Sequence, residues 1–469
     1  MLSVEELEKF KPERRPRNDI GASTLFNDIY RSSLIYVIES KSFYFYNGKF
    51  WEKDVDDLHA HEKAKEFAVS LTNYFSDKEH ENEDALKWYA RYFPREKRVR
   101  LVNDVKSIDP KNMSMFDKQP ILFNCQNCTV NLATGEGKPH DPMDYITHIS
   151  NVWFDPDAIS IDFENFVADI MEEDRYLIEY LQECLGYSLS GSTFLECFFI
   201  TYGATTRNGK GTLDGTMMHL LGTYAKAANY ETFESRKYKS GSGASEDVAR
   251  LAGARYVSVS EPAFGMVLDG SLIKRLSGND VITARRLYEG SFDFIASFKI
   301  WINTNHLPVV PDETVFSSGR LQLIPFNKHF GEAEQDRGLK AKLKKRENIS
   351  GIFNWCMQGF QRMATNGRLK QPETVIKELF KYQEDNDKVG EFLNDCCVKA
   401  IEENNKITMT RVYKAYKWWM NENGYKGILA KKNLKKALVS RGIKTGIYDH
   451  QEQVFGRELT DIIPKNVFC

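Results

Sequence analysis

The sequence predicts an α/β protein built around a phosphate-gripping loop, and three observations predict it. Phe194–Ile200 (FLECFFI) is a short, almost wholly apolar run, the signature of a strand buried on both faces. It leads into the glycine-rich stretch GATTRNGKGT (Gly203 to Thr212) and then into the helix-compatible TLDGTMMHLLGTY (Thr212 to Tyr224). Around this unit, residues 191–345 alternate short apolar strands with helical stretches.

The chain has 469 residues, long enough for several domains. The expected division is a mixed α/β region over 1–115 and a strand-turn segment with helices over 116–190. The α/β core follows over 191–345, then a helical linker over 346–372 and a basic module over 373–469. A hydrophobic fraction of 42% with 13% aromatics suits a well-cored protein. No run of about 18 apolar residues occurs. The N-terminal MLSVEELEKFKPERRPR is charged and unlike a secretory signal, so a cytoplasmic location is expected, with no membrane partner. Eight scattered cysteines, with Cys396 and Cys397 adjacent, make no disulfide framework and suit a reducing compartment. The net charge of −2 excludes a globally basic nucleic-acid glove, so any DNA contact has to come from local patches.

Taken in order, SFYFYNGKFWEKD (Ser42 to Asp54) places an Asn-Gly turn between apolar alternations and predicts a hairpin. Pro120–Ile149 has the same strand-and-turn texture. FENFVADI (Phe163 to Ile170) and DRYLIEYLQECLGYSL (Asp174 to Leu189) repeat apolar residues every three or four positions, which predicts helices. RLKQPE (Arg368 to Glu373) reads as a linker before the lysine-rich module.

Within the glycine stretch, the backbone N–H groups of Arg207 through Thr212 are expected to wrap phosphates at a helix N-terminus, with Lys210 as the point charge. Two irregularities stand out: Gly203 is one place early for the usual spacing, and Gly211 stands where a hydroxyl residue normally follows the lysine. The alternative is a helix-start turn with a solvated lysine. Downstream, RYVSVSE (Arg255 to Glu261) is a strand ending in a carboxylate, and FKIWINTN (Phe298 to Asn305) is a strand ending in an amide. FSSGRLQLIPF (Phe316 to Phe326) sets Arg320 just before another strand.

In that order, GATTRNGKGT, VSVSEP, IKRLSGNDVITARRLY, IWINTNHLP and GRLQLIPF resemble the motifs of superfamily 3 helicases. The similarity is to the phage/plasmid primase–helicase group that also contains the poxvirus primase–helicase, and NVWFDPDA and YLQECLGYSLSG add weaker likeness. The resemblance covers roughly residues 120 to 330 and, more loosely, the C-terminal module. The first hundred residues carry little of it and no primase signature, which implies a helicase without the usual fused primase. The implied fold is an AAA+-like P-loop NTPase core with a helical collar before it and a small winged-helix domain after it.

The resemblance also implies ATP and Mg2+. Thr205, Thr206, Arg207, Asn208, Gly209, Lys210, Gly211 and Thr212 would hold the nucleotide. Glu261 would help hold the ion and polarise water, with Thr212 in place of the missing hydroxyl at 211. Asn305 would read the γ-phosphate, and Arg320 would reach a neighbouring subunit's nucleotide, which implies a homo-hexamer. Lys274, Arg275, Arg285 and Arg286 would face single-stranded DNA in the ring channel. A solvated basic helix face stays open as the alternative for Arg275 and Arg286.

From Lys406 to Lys444, eleven basic residues face one acid, Glu422. Lys431, Lys432, Lys435 and Lys436 recur on one helix face, with Leu434, Ala437 and Leu438 turned inward. With TRVYKAYKWWMNEN before them and IKTGIYDHQEQVFGREL after, they predict a helix-turn-helix with a wing that binds duplex or origin DNA. A solvated helix or a protein-docking module remains the alternative. Cys125 and Cys128 form a lone C-x-x-C without the second pair a zinc site needs, and His59 and His61 lack H-E-x-x-H spacing. Trp418 and Trp419 read as core. The functional expectation is an ATP-driven DNA helicase of a phage, plasmid or mobile genetic element, with a separate primase as a conceivable partner. The alternative is a non-motor origin-binding initiator that uses nucleotide only for assembly.

Overall fold

The structure, a computed structural model, describes residues 1–77, 80–235, 246–260, 262–285, 291–400, 405–460 and 462–468. The chain is mixed α/β. Its N-terminal part carries α1 (Val4–Glu8), α2 (Asp19–Tyr30), α3 (Leu58–Ser76), α4 (Glu83–Ala90) and α5 (Arg95–Val105) beside an antiparallel meander. The meander is β1 (Leu34–Val37), β2 (Ser42–Tyr46) and β3 (Trp51–Lys53). The hairpin expected at Asn47–Gly48 forms: Tyr46 pairs with Trp51, Gly48 takes φ +96°, and the Asn47 carboxamide accepts from the Lys49 and Phe50 amides. Leu25, Phe26, Phe67 and Leu71 fill the helical core of this part.

Next come β4 (Leu122–Asn124), β5 (Thr129–Asn131) and β6 (Gly137–Lys138), then α6 (Ile161–Ile170) and α7 (Arg175–Leu189). Both helices start as the periodicity predicts. The Ser160 hydroxyl accepts from the Phe163 amide, and Asp174 accepts from Tyr176 and Leu177.

The central sheet has five parallel strands: β7 (Phe198–Tyr202), β8 (Ala225–Ala228), β9 (Tyr256–Ser260), β12 (Lys299–Thr304) and β13 (Leu321–Pro325). Their spatial order is β13-β7-β12-β9-β8. Both faces are covered, as a parallel sheet requires. Phe199, Tyr256, Trp301 and Ile324 point into the core shared with α6 and α7, where Phe199 and Trp301 stack at 4.3 Å. Phe198, Ile200, Val257, Val259, Ile300, Ile302, Leu321 and Leu323 point into the opposite core. Between these strands lie α8 (Lys210–Leu221), α9 (Glu246–Ala249) and α10 (Gly270–Ser277). The two-stranded hairpin β10 (Val281–Arg285) with β11 (Ser291–Ile295) and α11 (Thr314–Ser317) complete this part.

After α12 (Leu339–Lys342), helix α13 (Arg346–Asn366) occupies the segment expected as a linker. It is helical but belongs to the core: Ile349, Ile352, Phe353, Cys356 and Phe360 are buried with α7. Sequence reasoning missed this because the partner of its apolar face lies on α7, more than 150 residues earlier, and spacing alone does not show what covers a helix face. α7 and α13 approach at glycines. A Cβ on Gly186 would lie 2.3 Å from the Cys356 oxygen, and one on Gly359 would lie 2.1 Å from the Gln182 oxygen.

The C-terminal module comprises α14 (Glu373–Asn386), α15 (Lys388–Cys396), α16 (Met409–Glu422) and α17 (Lys431–Ser440). Its strands are β14 (Cys397–Lys399), β15 (Lys406–Thr408), β16 (Thr445–Tyr448), β17 (Gln451–Phe455) and β18 (Arg457–Leu459). β15-β17-β16 form an antiparallel sheet, and β14 pairs with β18. Phe392, Tyr416, Trp419, Leu434, Leu438 and Val454 make its core, with Trp418 partly buried against it. Among the described residues no helix is long and apolar enough to cross a membrane.

Because the two glycines set how closely α7 and α13 pack, Gly186→Ala or Gly359→Ala forces the helices apart. Each is expected to cost about 1–3 kcal/mol or more, read as a lower denaturant midpoint.

Candidate phosphate-binding site

The glycine loop lies at the C-terminal end of β7, between its neighbours β13 and β12. Adjacent strands β7 and β12 send their connections in opposite directions, to β8 and to β13, so the loop occupies a topological switch point. Two glycines are obligatory there. Gly209 takes φ +89°, and a Cβ on it would lie 2.4 Å from Ile170 Cγ2, so α6 backs the loop directly. A Cβ on Gly203 would lie 2.4 Å from Asn208 Nδ2 and 2.5 Å from the Phe326 oxygen. Gly211 is different, with nothing within 4 Å of a Cβ.

Asn208 is buried and its side-chain amide donates to the Thr205 carbonyl at 2.6 Å, closing the loop on itself. Thr205, Thr206 and Arg207 are exposed, and Arg207 takes φ +58°. From the far side, the Phe330 amide donates to the Arg207 carbonyl at 2.9 Å, and His329 Nδ1 contacts the Thr206 carbonyl at 2.8 Å. The segment after β13 therefore holds the loop's outer edge.

Lys210 opens α8 with its side chain 7% exposed. Its amine donates to the Gly203 carbonyl at 3.1 Å and to Asn305 Oδ1 at 2.6 Å. Burial pulls this amine down to about 8. Two residues assigned from widely separated motifs thus meet at one point. One layer below Asn305, Asn303 accepts from the Thr201 hydroxyl at 2.5 Å. The Asn303 Nδ2 is buried and, among the described residues, has no partner. A buried donor left unmatched beside a glycine cradle is what a bound oxyanion or its water would satisfy. Asp214, one helical turn beyond Lys210, accepts from the Tyr256 hydroxyl at 3.0 Å and the Ser258 hydroxyl at 2.9 Å, locking α8 to β9. Asn303 and Asp214 were missed by sequence reasoning. The signals were an amide two places before Asn305 and an acid four places after Lys210, both on the inward face.

Thr212 is partly buried in the first turn of α8. Glu261 lies outside the described residues, directly after β9. Among the described residues no cluster of three His, Cys, Asp or Glu side chains is arranged for a metal.

Arg320 sits before β13, at the opposite end of the sheet from Lys210. It donates to the Glu196 carbonyl and the Ser277 hydroxyl, both at 3.2 Å, and pairs with the Glu196 carboxylate. Lys274, expected toward DNA, is instead held by Asp312 at 2.6 Å and by the Thr314 hydroxyl. Arg275 is exposed on α10, and Arg285 is exposed on β10 beside residues 286–290, so Arg286 lies outside the described residues. In α17, Lys432 and Lys436 are exposed. Lys431 donates to the Thr410 hydroxyl at 2.8 Å and Lys435 pairs with Glu452 at 2.9 Å, so two of the four expected phosphate contacts are engaged within the chain.

The segment after Asn305 ties this site to the C-terminal module. Tyr382 donates to the Pro308 carbonyl at 2.5 Å. Asn386 bonds both the amide and the carbonyl of Val310, at 2.8 and 2.6 Å. Arg441 bridges Glu313 and Asp387 at 2.5 and 2.6 Å.

Two family descriptions match the chain: "D5 N terminal like" over residues 23–172 and "Poxvirus D5 protein-like" over residues 384–441. The first corrects the expectation that the opening hundred residues carry little family likeness. That region lacks chemistry-bearing motifs, which is why sequence reasoning passed over it. The helicase-named protein L207/L206 of Acanthamoeba polyphaga mimivirus is 24% identical over 67% of this chain and 34% of its own length. The helicase-named protein 022R of Frog virus 3 is 24% identical over 56% of this chain and 28% of its own. The chain spans about a third of the length of the curated relatives it matches. Among solved structures, the apo C-terminal region of NrS-1 matches at TM-score 0.44 and 10% identity, over 90% of this chain and 95% of that one.

Two outcomes follow from the loop. Gly211→Ser meets no atom and replaces a helical glycine, so it is expected to raise stability by roughly 0.5 kcal/mol. Gly209→Ala is expected to lower it by more than about 1 kcal/mol, as the left-handed φ and Ile170 both oppose a Cβ; denaturant midpoints compare the two. The Lys210 amine, near 8 when free, rises when an anion binds over it. Affinity for such an anion is therefore expected to be full below pH 8 and to fall above it, with proton uptake at pH 8.5. Calorimetry in two buffers of different ionisation enthalpy measures that uptake.

Proposed function

We infer that this chain, a relative of the poxvirus D5-like primase–helicase family, is an ATP-dependent DNA helicase of superfamily 3. It would work as a hexameric ring on single-stranded DNA for a phage, plasmid or other mobile element. The observation that carries the reading is the 2.6 Å contact between Lys210 and Asn305 inside a glycine loop at a parallel-sheet switch point. The five-stranded parallel sheet supports an AAA+-like core, and α16, α17 and the β15-β17-β16 sheet support a winged-helix module.

In this reading Lys210 and the N-terminal amides of α8 bind the nucleotide's β- and γ-phosphates, and Asn305 exchanges its hold on Lys210 for the γ-phosphate. Thr212 and Glu261 would hold Mg2+, which when bound neutralises phosphate charge. Glu261 takes the proton of the attacking water. Arg320 cannot serve its own site: β13 separates it from the loop end of the sheet by five residues, roughly 16 Å. A neighbouring subunit's Arg320, released from Glu196, supplies the charge instead. Arg275, Arg285 and Arg286 contact the DNA backbone in the channel. The cofactors are ATP and Mg2+, and a separate primase fits as a partner.

The second reading, a non-motor origin-binding initiator, is favoured by one observation: Gly211 offers no hydroxyl to the ion. DNA-stimulated ATP turnover separates the two, because a motor turns over and Lys210→Ala abolishes it, whereas a binder shows none in the wild type. Lys210→Ala and Arg320→Ala are each expected to lose on the order of 10³ in rate. Mixed together they regain part of the activity, since some interfaces join an intact loop to an intact arginine. Absence of recovery on mixing argues against the shared site.

A further inference from the structure

We propose that the tip of the β16–β17 hairpin is a wedge that contacts unstacked bases where single-stranded and duplex nucleic acid meet. The proposal rests on the reading of the C-terminal module as nucleic-acid-binding. The hairpin turns through Asp449 and His450, whose φ values of +50° and +57° make the tight two-residue turn that matches strand twist. Just before it stand Ile447, 79% exposed, and Tyr448, 54% exposed. Neither is part of the module's core.

Successive strand residues point to opposite faces, so this apolar pair cannot lie together on one flat partner surface. Ile447 pairs across the hairpin with Glu452, on the face that Lys435 of α17 reaches. Tyr448 lies on the other face, where the Lys406 amine sits 2.9 Å from its ring centroid. An occupant must therefore receive apolar groups on both sides of a thin ribbon, which describes an opened base step and not a flat docking surface. The surroundings select a polyanion. Lys432 and Lys436 are exposed on α17, whose Lys435 neutralises Glu452, and Lys444 is exposed at the base of the hairpin, where its carbonyl accepts from the Phe455 amide; Asp449 stands at the turn itself. Base faces stack on an aromatic ring whatever their sequence, so this contact recognises a junction and reads no particular bases.

The test uses the full chain without nucleotide, so it does not depend on ATP turnover. Binding to a forked DNA and to a blunt duplex of the same length is compared, with 2-aminopurine at the fork's junction base. Wild type is expected to prefer the fork and to brighten the probe. Tyr448→Ala and Ile447→Ser, both at exposed positions, are expected to weaken fork binding about tenfold. They should also abolish the brightening while leaving blunt-duplex affinity unchanged. Lys432→Ala with Lys436→Ala is expected to weaken both substrates alike. Unchanged fork affinity and fluorescence in Tyr448→Ala overturns the wedge while leaving the module a DNA binder. No binding of either DNA by wild type overturns the reading of the module itself. Self-association of wild type that Tyr448→Ala abolishes assigns the tip to a second copy and also overturns the wedge.

Discussion

A parallel sheet exposes apolar side chains on both faces and is stable only when both are covered. Here that constraint arranges the rest of the molecule. One face is covered by α6, α7 and α13, with Phe199, Trp301 and Tyr256 stacked beneath them. Covering it brings α6 against the glycine loop, where Ile170 allows no side chain on residue 209. The end of α7 is fixed in turn by two buried basic side chains, Arg255 just before β9 and Lys299 in β12. Arg255 donates to the Leu189 carbonyl at 2.7 Å, and the Lys299 amine donates to the Ser190 carbonyl. Cations at a helix C-terminus meet the partial negative charge of its unpaired carbonyls. The Lys299 amine nevertheless lies far below its usual range, because burial disfavours its charged form. The rings of Tyr224 and Tyr187 lie over the two side chains, each at 4.4 Å.

The same sheet explains why the site and the C-terminal module share one stretch of backbone. Asn305 directly follows β12, and the chain leaving it is met by Tyr382 and Asn386 within five residues. Lys210 and the α14 helix therefore act on opposite ends of a short segment whose polar groups are already committed. A ligand that draws the Lys210 amine away from Asn305 changes the partner at one end of that segment. The module at the other end carries the exposed lysines of α17 and the hairpin tip, so one hydrogen-bonded stretch of backbone joins the glycine loop to that module.

Arg320 shows the limits of a single chain. Its guanidinium has four acceptors among the described residues, two of them on Glu196, a non-glycine residue held at φ +48°. A left-handed glutamate is sparsely populated, and it persists here where its carbonyl and carboxylate both face the arginine. The geometry keeps Arg320 away from its own loop and near the rim at the other end of the sheet.

Much of the fold was legible in the sequence because it rests on local periodicity and local turn chemistry. The Asn47–Gly48 hairpin, the α6 and α7 starts and the Leu434–Leu438 face of α17 each follow from residues a few places apart; of the expected strand Phe194–Ile200 only Phe198–Ile200 lies in β7, and Phe194 is 49% exposed. The glycine loop was legible for the same reason: φ +89° at Gly209 and the cradle around Gly203 demand glycine within one short stretch. What only the tertiary structure decided depends on residues far apart in the chain. It made α13 a core helix by setting Gly359 against Gln182 and Gly186 against Cys356, and it brought Asn305 to Lys210 across 95 residues. It also paired Lys274 with Asp312 and Lys435 with Glu452, two lysines that the sequence reading directs toward DNA. Spacing tells which face of a helix a side chain occupies, but its partner is set by which elements the sheet order and the two buried faces bring alongside.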